Sequence, residues 1–254
     1  MAGFSFLFLL FITYSILGWI VESIYCSLYE KKVVNRGFLI GPYCPIYGAA
    51  AILIIIALSD FKNKILILFF LSTLLCGFLE YITSIILEKV FKLSLWDYSK
   101  EKLNIKGRIC LKNLLMFGFL SVFLVELVHP FFEKLYSNIP YYIFIIIFVL
   151  TSLLFIADII FTSIAVFDIT NLANKTFNLN ELSLARSRIT DNILQDIESK
   201  AEKIKFELKD KKEKGKVTIN FIHRRFIKAF PNIKSLNPNE SFEILKNIIN
   251  KYRK

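Results

Sequence analysis

Five apolar runs, separated by polar stretches, dominate the first two thirds of the chain. A helix crosses the roughly 30 Å hydrocarbon layer in about 20 residues. Lipid offers no hydrogen bonds to open backbone, so such runs must be helices or the strands of a closed barrel. Barrel strands alternate apolar and polar residues, whereas these runs are apolar on all sides. The pattern therefore predicts an all-α, polytopic membrane bundle of about five transmembrane helices, near Phe4–Cys26, Pro45–Leu58, Ile65–Val90, Ile109–Val128 and Tyr141–Phe167.

The ends of the last two helices follow from proline. The fourth is expected to end at His129-Pro130, and the fifth to open after Pro140, because proline cannot continue an earlier helix. We expect residues 1–170 to form the transmembrane bundle and residues 171–254 a basic, helical, cytosolic tail. In that tail, apolar residues recur at steps of three and four from about Asn180, which is typical of an amphipathic helix.

The charge is concentrated in the tail. The chain has a net charge of +11, and residues 171–254 hold 19 of its 32 Lys and Arg and 10 of its 21 Asp and Glu, a net +9. The loops after the first and third helices are also rich in Lys and Arg, and such loops face the cytosol. We therefore expect a multi-pass protein of the cell membrane, with the N-terminus outside and the C-terminus cytosolic. The tail suits anionic lipid head groups better than nucleic acid.

Several ionisable residues lie within the apolar runs. Each costs about 2.5–3.5 kcal/mol at the membrane centre on insertion scales, so it is expected to face protein or water. Glu22 in the first helix and Glu80 in the third belong to stripes of small and polar residues spaced three to four apart. These stripes are expected to face the interior of the bundle. Asp158 and His129 have no partner that the sequence identifies, and we expect structural roles for them.

Two connecting loops carry unusual composition. Residues 35–48 contain three glycines and two prolines, which predicts irregular backbone packed at membrane depth. Residues 96–108 add Trp96, Asp97 and Arg108. Arginine binds carboxylate or phosphate in a bidentate manner. The sequence predicts a cytosol-facing binding site, and Glu–Arg pairs that only lock the bundle are the alternative. The candidate site residues are Glu22, Asn35, Arg36, Tyr47, Glu80, Asp97 and Arg108.

Common catalytic and cofactor motifs are missing from the sequence. It has no GxxxxGK[ST] phosphate loop, no HExxH and no GxSxG. No cofactor-binding or metal-ligating residues are predicted. The four cysteines, Cys26, Cys44, Cys76 and Cys110, have no CxxC or Cys/His spacing and are expected to be free thiols. If the protein pumps a substrate, a separate ATPase subunit is expected to hydrolyse ATP.

The loops also carry a family resemblance. The motifs, in chain order, are Gly18-Trp19 with Glu22, Asn35 through Leu39, Gly41-Pro42, Cys44 through Gly48, Glu80-Tyr81, Trp96 through Ser99, Gly107 through Ile109, and His129-Pro130. Over about residues 4 to 168 the chain resembles the bacterial CmpB-like family labelled "putative ABC-transporter type IV permease". The resemblance implies a membrane subunit of a transport system. It supplies no catalytic or substrate-binding residues. Phe117 departs from the family pattern, in which Trp usually precedes Gly118.

Three functions remain open from the sequence. The first is a permease-like subunit without its own ATPase, which needs an ATPase partner and, having few helices, a homo-oligomer. The second is a membrane enzyme acting on an anionic or lipid-linked substrate at the cytosolic face, which requires Glu22, Arg36, Glu80 and Arg108 to converge on one cavity. The third is a scaffold or regulator that acts through the basic tail.

Overall fold

The computed structural model describes residues 3–186, 225–226, 228–230 and 233–235. Its helices and strands in chain order are α1 (Phe4–Glu30), α2 (Pro45–Leu58), α3 (Ile65–Phe91), β1 (Leu93–Ser94), β2 (Asn104–Ile105), β3 (Ile109–Cys110), α4 (Leu111–Phe123), α5 (His129–Ser137), α6 (Tyr141–Arg186) and β4 (Lys234–Ser235). The two-residue strands form antiparallel pairs, β1 with β4 and β2 with β3. The predicted membrane helix bundle is confirmed.

Within the described residues, four helices are long and apolar enough to cross a membrane: Phe4–Leu28, Ile65–Phe91, Leu111–Ser137 and Tyr141–Asp168. A shorter apolar helix covers Pro45–Phe61. Leu153 and Phe161 on α6 are among many large apolar side chains that remain exposed. An apolar outer surface of this kind suits lipid rather than water.

The fourth helix runs further than the sequence predicts. A π-helical turn, Leu124–Val128, joins α4 to α5, and helical backbone continues to Ser137 rather than ending at His129-Pro130. Pro130 lies in the first turn of α5, where its missing N–H group costs little. The fourth helix also begins later, because Ile109 and Cys110 form a strand with β2. Similarly, α6 continues past Phe167 to Arg186.

Glycines allow α1 and α2 to pack closely. A Cβ atom at Gly48 would lie 2.5 Å from the Phe11 carbonyl oxygen and closer still to the Ser15 hydroxyl. A Cβ atom at Gly18 would overlap the ring and Cβ of Tyr47. Small residues at such crossings let backbones of membrane helices approach one another. The contact brings Tyr47 against the face of α1 that carries Glu22.

Asp158 has a partner that the sequence did not identify. Its two carboxylate oxygens accept backbone N–H groups of Ile40 at 2.9 Å and Gly41 at 2.7 Å, and Thr162 donates to it at 3.0 Å. Asp158 thus holds the irregular loop before α2 against α6. His129 likewise has a structural contact, since its Nδ1 lies 2.9 Å from the Tyr14 hydroxyl.

Replacing Asp158 by asparagine should therefore destabilise the protein. One acceptor oxygen becomes an NH₂ group that faces a backbone N–H donor, and hydrogen bonds to charged groups contribute about 1.5–3 kcal/mol each. We expect the free energy of unfolding to fall by about 2 kcal/mol, measured by denaturant titration in detergent. Asp168→Asn, ten positions along the same helix, is the matched control. An equal loss in both variants would contradict the assigned role.

The C-terminal segment (the described residues from 225 to 235) packs back onto the bundle. Phe226, Ala229, Phe230 and Ile233 are buried there, in a cluster with Phe91, Leu93, Leu95 and Val166. The β1–β4 pair fixes the segment beside the end of α3. Part of the region predicted as a basic helical tail therefore covers one end of the helices. Most of the amphipathic helix predicted from about Asn180 lies outside the described residues.

Candidate functional site

Glu22 is the centre of a polar cluster between α1, α2 and the loop that joins them. Its carboxylate accepts the Tyr47 hydroxyl on one oxygen and Arg36 Nε at 3.3 Å on the other. The Cys26 thiol lies 3.9 Å from the carboxylate. Both carboxylate oxygens are thus bound, and Glu22 forms an ion pair with Arg36, a Glu–Arg pair of the kind that the sequence left open as a structural alternative.

Arg36 also reaches the C-terminal segment. Its guanidinium donates to the carbonyl oxygen of Ala229 and lies 4.9 Å from the centre of the Phe230 ring. Its backbone N–H donates to Ser23 at 3.2 Å. The arginine therefore connects α1 with a residue 193 positions away in sequence. Because its guanidinium already has these partners, it is a poor anchor for an added anion.

Glu80 lies on α3 and is buried, with 5% of its surface exposed. Its Oε1 accepts the Tyr98 hydroxyl at 3.3 Å. Its Oε2 is buried and has no hydrogen-bond partner among the described residues. Burial, with the nearby Glu80 and Glu22 carboxyl groups, raises the pKa of Tyr98 above its ordinary value, so the phenol keeps its proton and donates. A carboxylate oxygen left without a partner in protein is costly and uncommon.

A cavity of about 440 Å³ connects these groups. Its volume is typical of small-molecule sites, which range from about 300 to 1,000 Å³. It extends from the loop residues Arg36 and Trp96 to Tyr14 and Val128 further along the helices, and most of its wall is aliphatic or aromatic. The polar side chains on its wall include Glu22, Arg36, Tyr47, Glu80, Tyr98 and Ser121.

Asn35 lies beside the cavity rather than on its wall. Its side-chain oxygen accepts the Trp19 indole N–H at 2.9 Å and the Arg225 guanidinium at 3.5 Å. The residue is exposed. Its contacts orient the loop after α1 and attach the C-terminal segment to it.

Arg108 and Asp97 lie outside the cavity lining. The Arg108 guanidinium binds Glu88 and lies 5.5 Å from the Tyr81 ring centre. The hydrogen bond with Glu88 raises the pKa of Arg108 above its ordinary value. Asp97 Oδ1 accepts the Ser99 backbone N–H at 2.9 Å. The expected convergence of all four charged residues on one cavity is therefore wrong for Arg108, because its partner Glu88 lies two turns beyond Glu80 along α3.

The sequence interpretation missed several residues of the cavity wall. Tyr98, which binds Glu80, is not among the candidate site residues of the sequence analysis. Phe230, in the C-terminal segment, lines the same cavity as Glu22 on α1. The Phe226 and Phe230 spacing of four was a usable signal, since it places two aromatic rings on one side of a helical turn.

The chain matches a known protein family. A family model described as "Putative ABC-transporter type IV" matches residues 9–163. That range includes all the candidate site residues and every residue that lines the cavity except Phe230. No curated protein and no solved structure matches the chain.

Proposed function

The chain belongs to the family described as "Putative ABC-transporter type IV", and we propose that it is a permease-like membrane subunit that binds a small, largely apolar molecule between its helices. The observation that carries this proposal is the cavity of about 440 Å³ within the bundle. Its apolar wall suits an apolar molecule, and its few polar groups suit a polar end that fixes orientation. The site residues of this proposal are Glu22, Arg36, Tyr47 and Glu80.

The charge distribution supports an orientation for this subunit. The basic loops near Arg36 and Arg108 and the basic tail favour the cytosolic side, with the N-terminus outside. In this arrangement the Arg36 and Phe230 end of the cavity lies near the cytosol. A substrate taken from the membrane or the cytosol enters there, and the basic tail lies close to anionic lipid head groups.

The proposal includes two assembly partners. Few helices enclose the cavity, so a complete path across the membrane needs a second copy or another membrane chain. Energy from ATP requires a separate ATPase subunit, since the sequence carries no phosphate-binding loop of its own. Affinity purification of the tagged full-length chain from native membranes tests this. Recovery of an ATPase subunit in stoichiometric amount is expected, and its absence in mild detergents and in cross-linked membranes would count against the transport role.

Ligand binding is tested with an apolar photoreactive probe, an aryl diazirine, on the full chain in lipid nanodiscs. Ala50 lies on the cavity wall, so Ala50→Phe should fill part of the cavity and remove most of the labelling of cavity-lining peptides. Leu153→Phe on the outer face of α6 is the matched control and should leave that labelling unchanged. Cavity labelling that Ala50→Phe does not reduce would contradict a binding role for this space.

The enzyme alternative has less support. It required Arg108 on the same cavity as Glu80, and the Arg108 side chain binds Glu88 instead. The scaffold alternative gains no specific support, because the described part of the C-terminal segment is packed against its own bundle. Transport therefore remains the function that the geometry favours.

A further inference from the structure

A hydrogen-bonded hairpin, residues 99–110, connects the region after α3 to the start of α4. Strands β2 and β3 pair within it, and Asn104 fixes its turn. The Asn104 side chain donates to the Glu101 carbonyl oxygen at 2.8 Å and accepts the Gly107 backbone N–H at 3.0 Å. The hairpin therefore holds its own turn in one conformation and presents a defined outer surface.

Two large apolar side chains lie on that outer surface. Leu103 is 74% exposed and Ile105 is 54% exposed. Leu103 also has a φ of 53°, in the left-handed region, which is uncommon for a bulky residue. Glycine or asparagine adopts this conformation at lower cost. A leucine that is both strained and exposed indicates a function for its side chain at this place.

The position of Leu103 relative to the membrane follows from its contact with α4. Its carbonyl oxygen accepts the backbone N–H of Leu111, the first residue of α4, at 3.2 Å. Leu111 begins the candidate membrane span Leu111–Ser137, and the large apolar side chains of Leu111 and Phe119 on this span are exposed. Apolar surface of this kind is covered by the bilayer. Leu103 therefore lies where the lipid-facing surface of α4 begins, at the level of the lipid head groups.

The charges around Leu103 indicate which lipid it contacts. The exposed charged residues of the hairpin are three lysines and one glutamate, a net charge of +2: Lys100, Glu101, Lys102 and Lys106. None of the ion pairs among the described residues includes these lysines. Basic residues beside a membrane attract anionic lipids, and a lysine stem can lie along apolar surface while its ammonium group stays at the interface. The bilayer supplies both the apolar layer and the phosphate charges at this level, so lipid accounts for the surface without a further partner.

We propose that the hairpin is a binding site for anionic phospholipid, in which Leu103 enters the edge of the hydrocarbon layer and the three exposed lysines contact head-group phosphates. This inference goes beyond the proposed function, because it concerns the membrane surface and not the cavity. In the proposed orientation the hairpin faces the cytosolic leaflet, which carries the anionic lipids.

The test replaces Leu103 by tryptophan and measures how brominated lipids quench its fluorescence. The full chain is placed in nanodiscs of phosphatidylcholine with a minor share of phosphatidylglycerol, and either one lipid or the other is brominated near the head group. The emission of the wild type, which contains Trp19 and Trp96, is subtracted. We expect phosphatidylglycerol to quench Leu103→Trp about fivefold more per mole than phosphatidylcholine, the factor that one lysine contributes at an anionic surface.

Two controls isolate the role of the lysines. Phe119→Trp is the matched position, because Phe119 is 69% exposed on α4, about two turns beyond Leu111. It should be quenched equally per mole by the two lipids. Replacing the three exposed lysines by glutamine in the Leu103→Trp background should remove the preference, whereas arginine at the same positions should retain it.

Each outcome decides for or against the site. Quenching of Phe119→Trp without quenching of Leu103→Trp would overturn the inference and would leave the hairpin surface for a protein partner. Equal quenching of Leu103→Trp by the two lipids, or a preference that persists in the glutamine variant, would also overturn it.

If Leu103→Trp does not fold, labelling of the wild type decides. Phosphatidylglycerol with a diazirine in its acyl chain should label the hairpin peptides more than phosphatidylcholine with the same group, and equal labelling would overturn the inference. These results are independent of the labelling of the cavity by the aryl diazirine, so failure of the lipid site leaves the proposed function standing.

Discussion

Replacing Phe226 by alanine should cost about 3–5 kcal/mol in the free energy of unfolding, as large-to-small changes of buried phenylalanine commonly do. Phe226 is 2% exposed, and the centre of its ring lies 5.8 Å from the ring centre of Phe38 and 5.3 Å from that of Phe230. The change leaves a void where the C-terminal segment meets α3 and α6. We expect the segment to detach before the helices unfold, because Phe226 is its most deeply buried aromatic side chain.

Two measurements check this result on the full chain in detergent. Denaturant titration gives the free energy, and limited trypsin digestion reports cleavage after Arg225, next to residue 226, which is buried in the native protein. Phe161→Ala on the outer face of α6 is the matched control, since Phe161 is 62% exposed. A Phe226→Ala variant as stable as this control would show that the segment does not pack as described.

Replacing Arg36 by methionine should cost about 3 kcal/mol, the lower end for breaking a buried ion pair. The lower end applies because the Arg36 and Glu22 side chains retain 18% and 25% exposure. Methionine keeps the apolar stem but leaves the Glu22 charge with the Tyr47 hydroxyl and the Cys26 thiol as its partners among the described residues. It also removes the donor to the Ala229 carbonyl oxygen.

The double variant Glu22→Gln/Arg36→Met separates these contributions. Removing the unpaired charge should recover about 1–2 kcal/mol of the loss, within the range measured for directly interacting residues. The bond to Ala229 and the contact with Phe230 are not recovered. If the loss in the double variant equals the sum of the losses in Glu22→Gln and Arg36→Met, then Glu22 and Arg36 are not coupled.

The sequence predicted the helices well because a segment in lipid must form its backbone hydrogen bonds within itself, and this requirement shows in the local sequence. An apolar run of the right length must satisfy its own backbone, and Pro45–Leu58 has the same bounds in prediction and structure. The predicted end of the fourth helix at His129-Pro130 was wrong. Proline cannot continue a helix that precedes it, but here a π-helical turn leads into α5, and Pro130 lies in the first turn of α5, where it costs little.

Residue contacts in the site were predictable only in part. Glu22 and Glu80 line the cavity, as expected for acidic groups that avoid lipid. The Glu22–Arg36 pair joins residues 14 apart with complementary charge, which the sequence does display. The partners of Asp158 are backbone N–H groups of Ile40 and Gly41, and every residue except proline has such a group, so no side-chain pattern identifies them.

The C-terminal segment was the least predictable element. Its contact with Arg36 is made through the carbonyl oxygen of Ala229, across 193 positions. Its apolar residues are as consistent with a free amphipathic helix as with docking on the bundle. Basic charge dominated the interpretation of the tail, although Phe226, Phe230 and Ile233 bury more than 90% of their surfaces.

The central claim is that the cavity beside Glu22 and Glu80 is a binding site rather than a gap in packing. An electron cryomicroscopy map of the full chain, purified from native membranes into lipid nanodiscs, tests it most directly. We expect the cavity to be present, with non-protein density inside it beside Glu22 and Glu80. A map in which α1, α2 and α3 close against each other around Glu80, with no space for a ligand, would contradict the account.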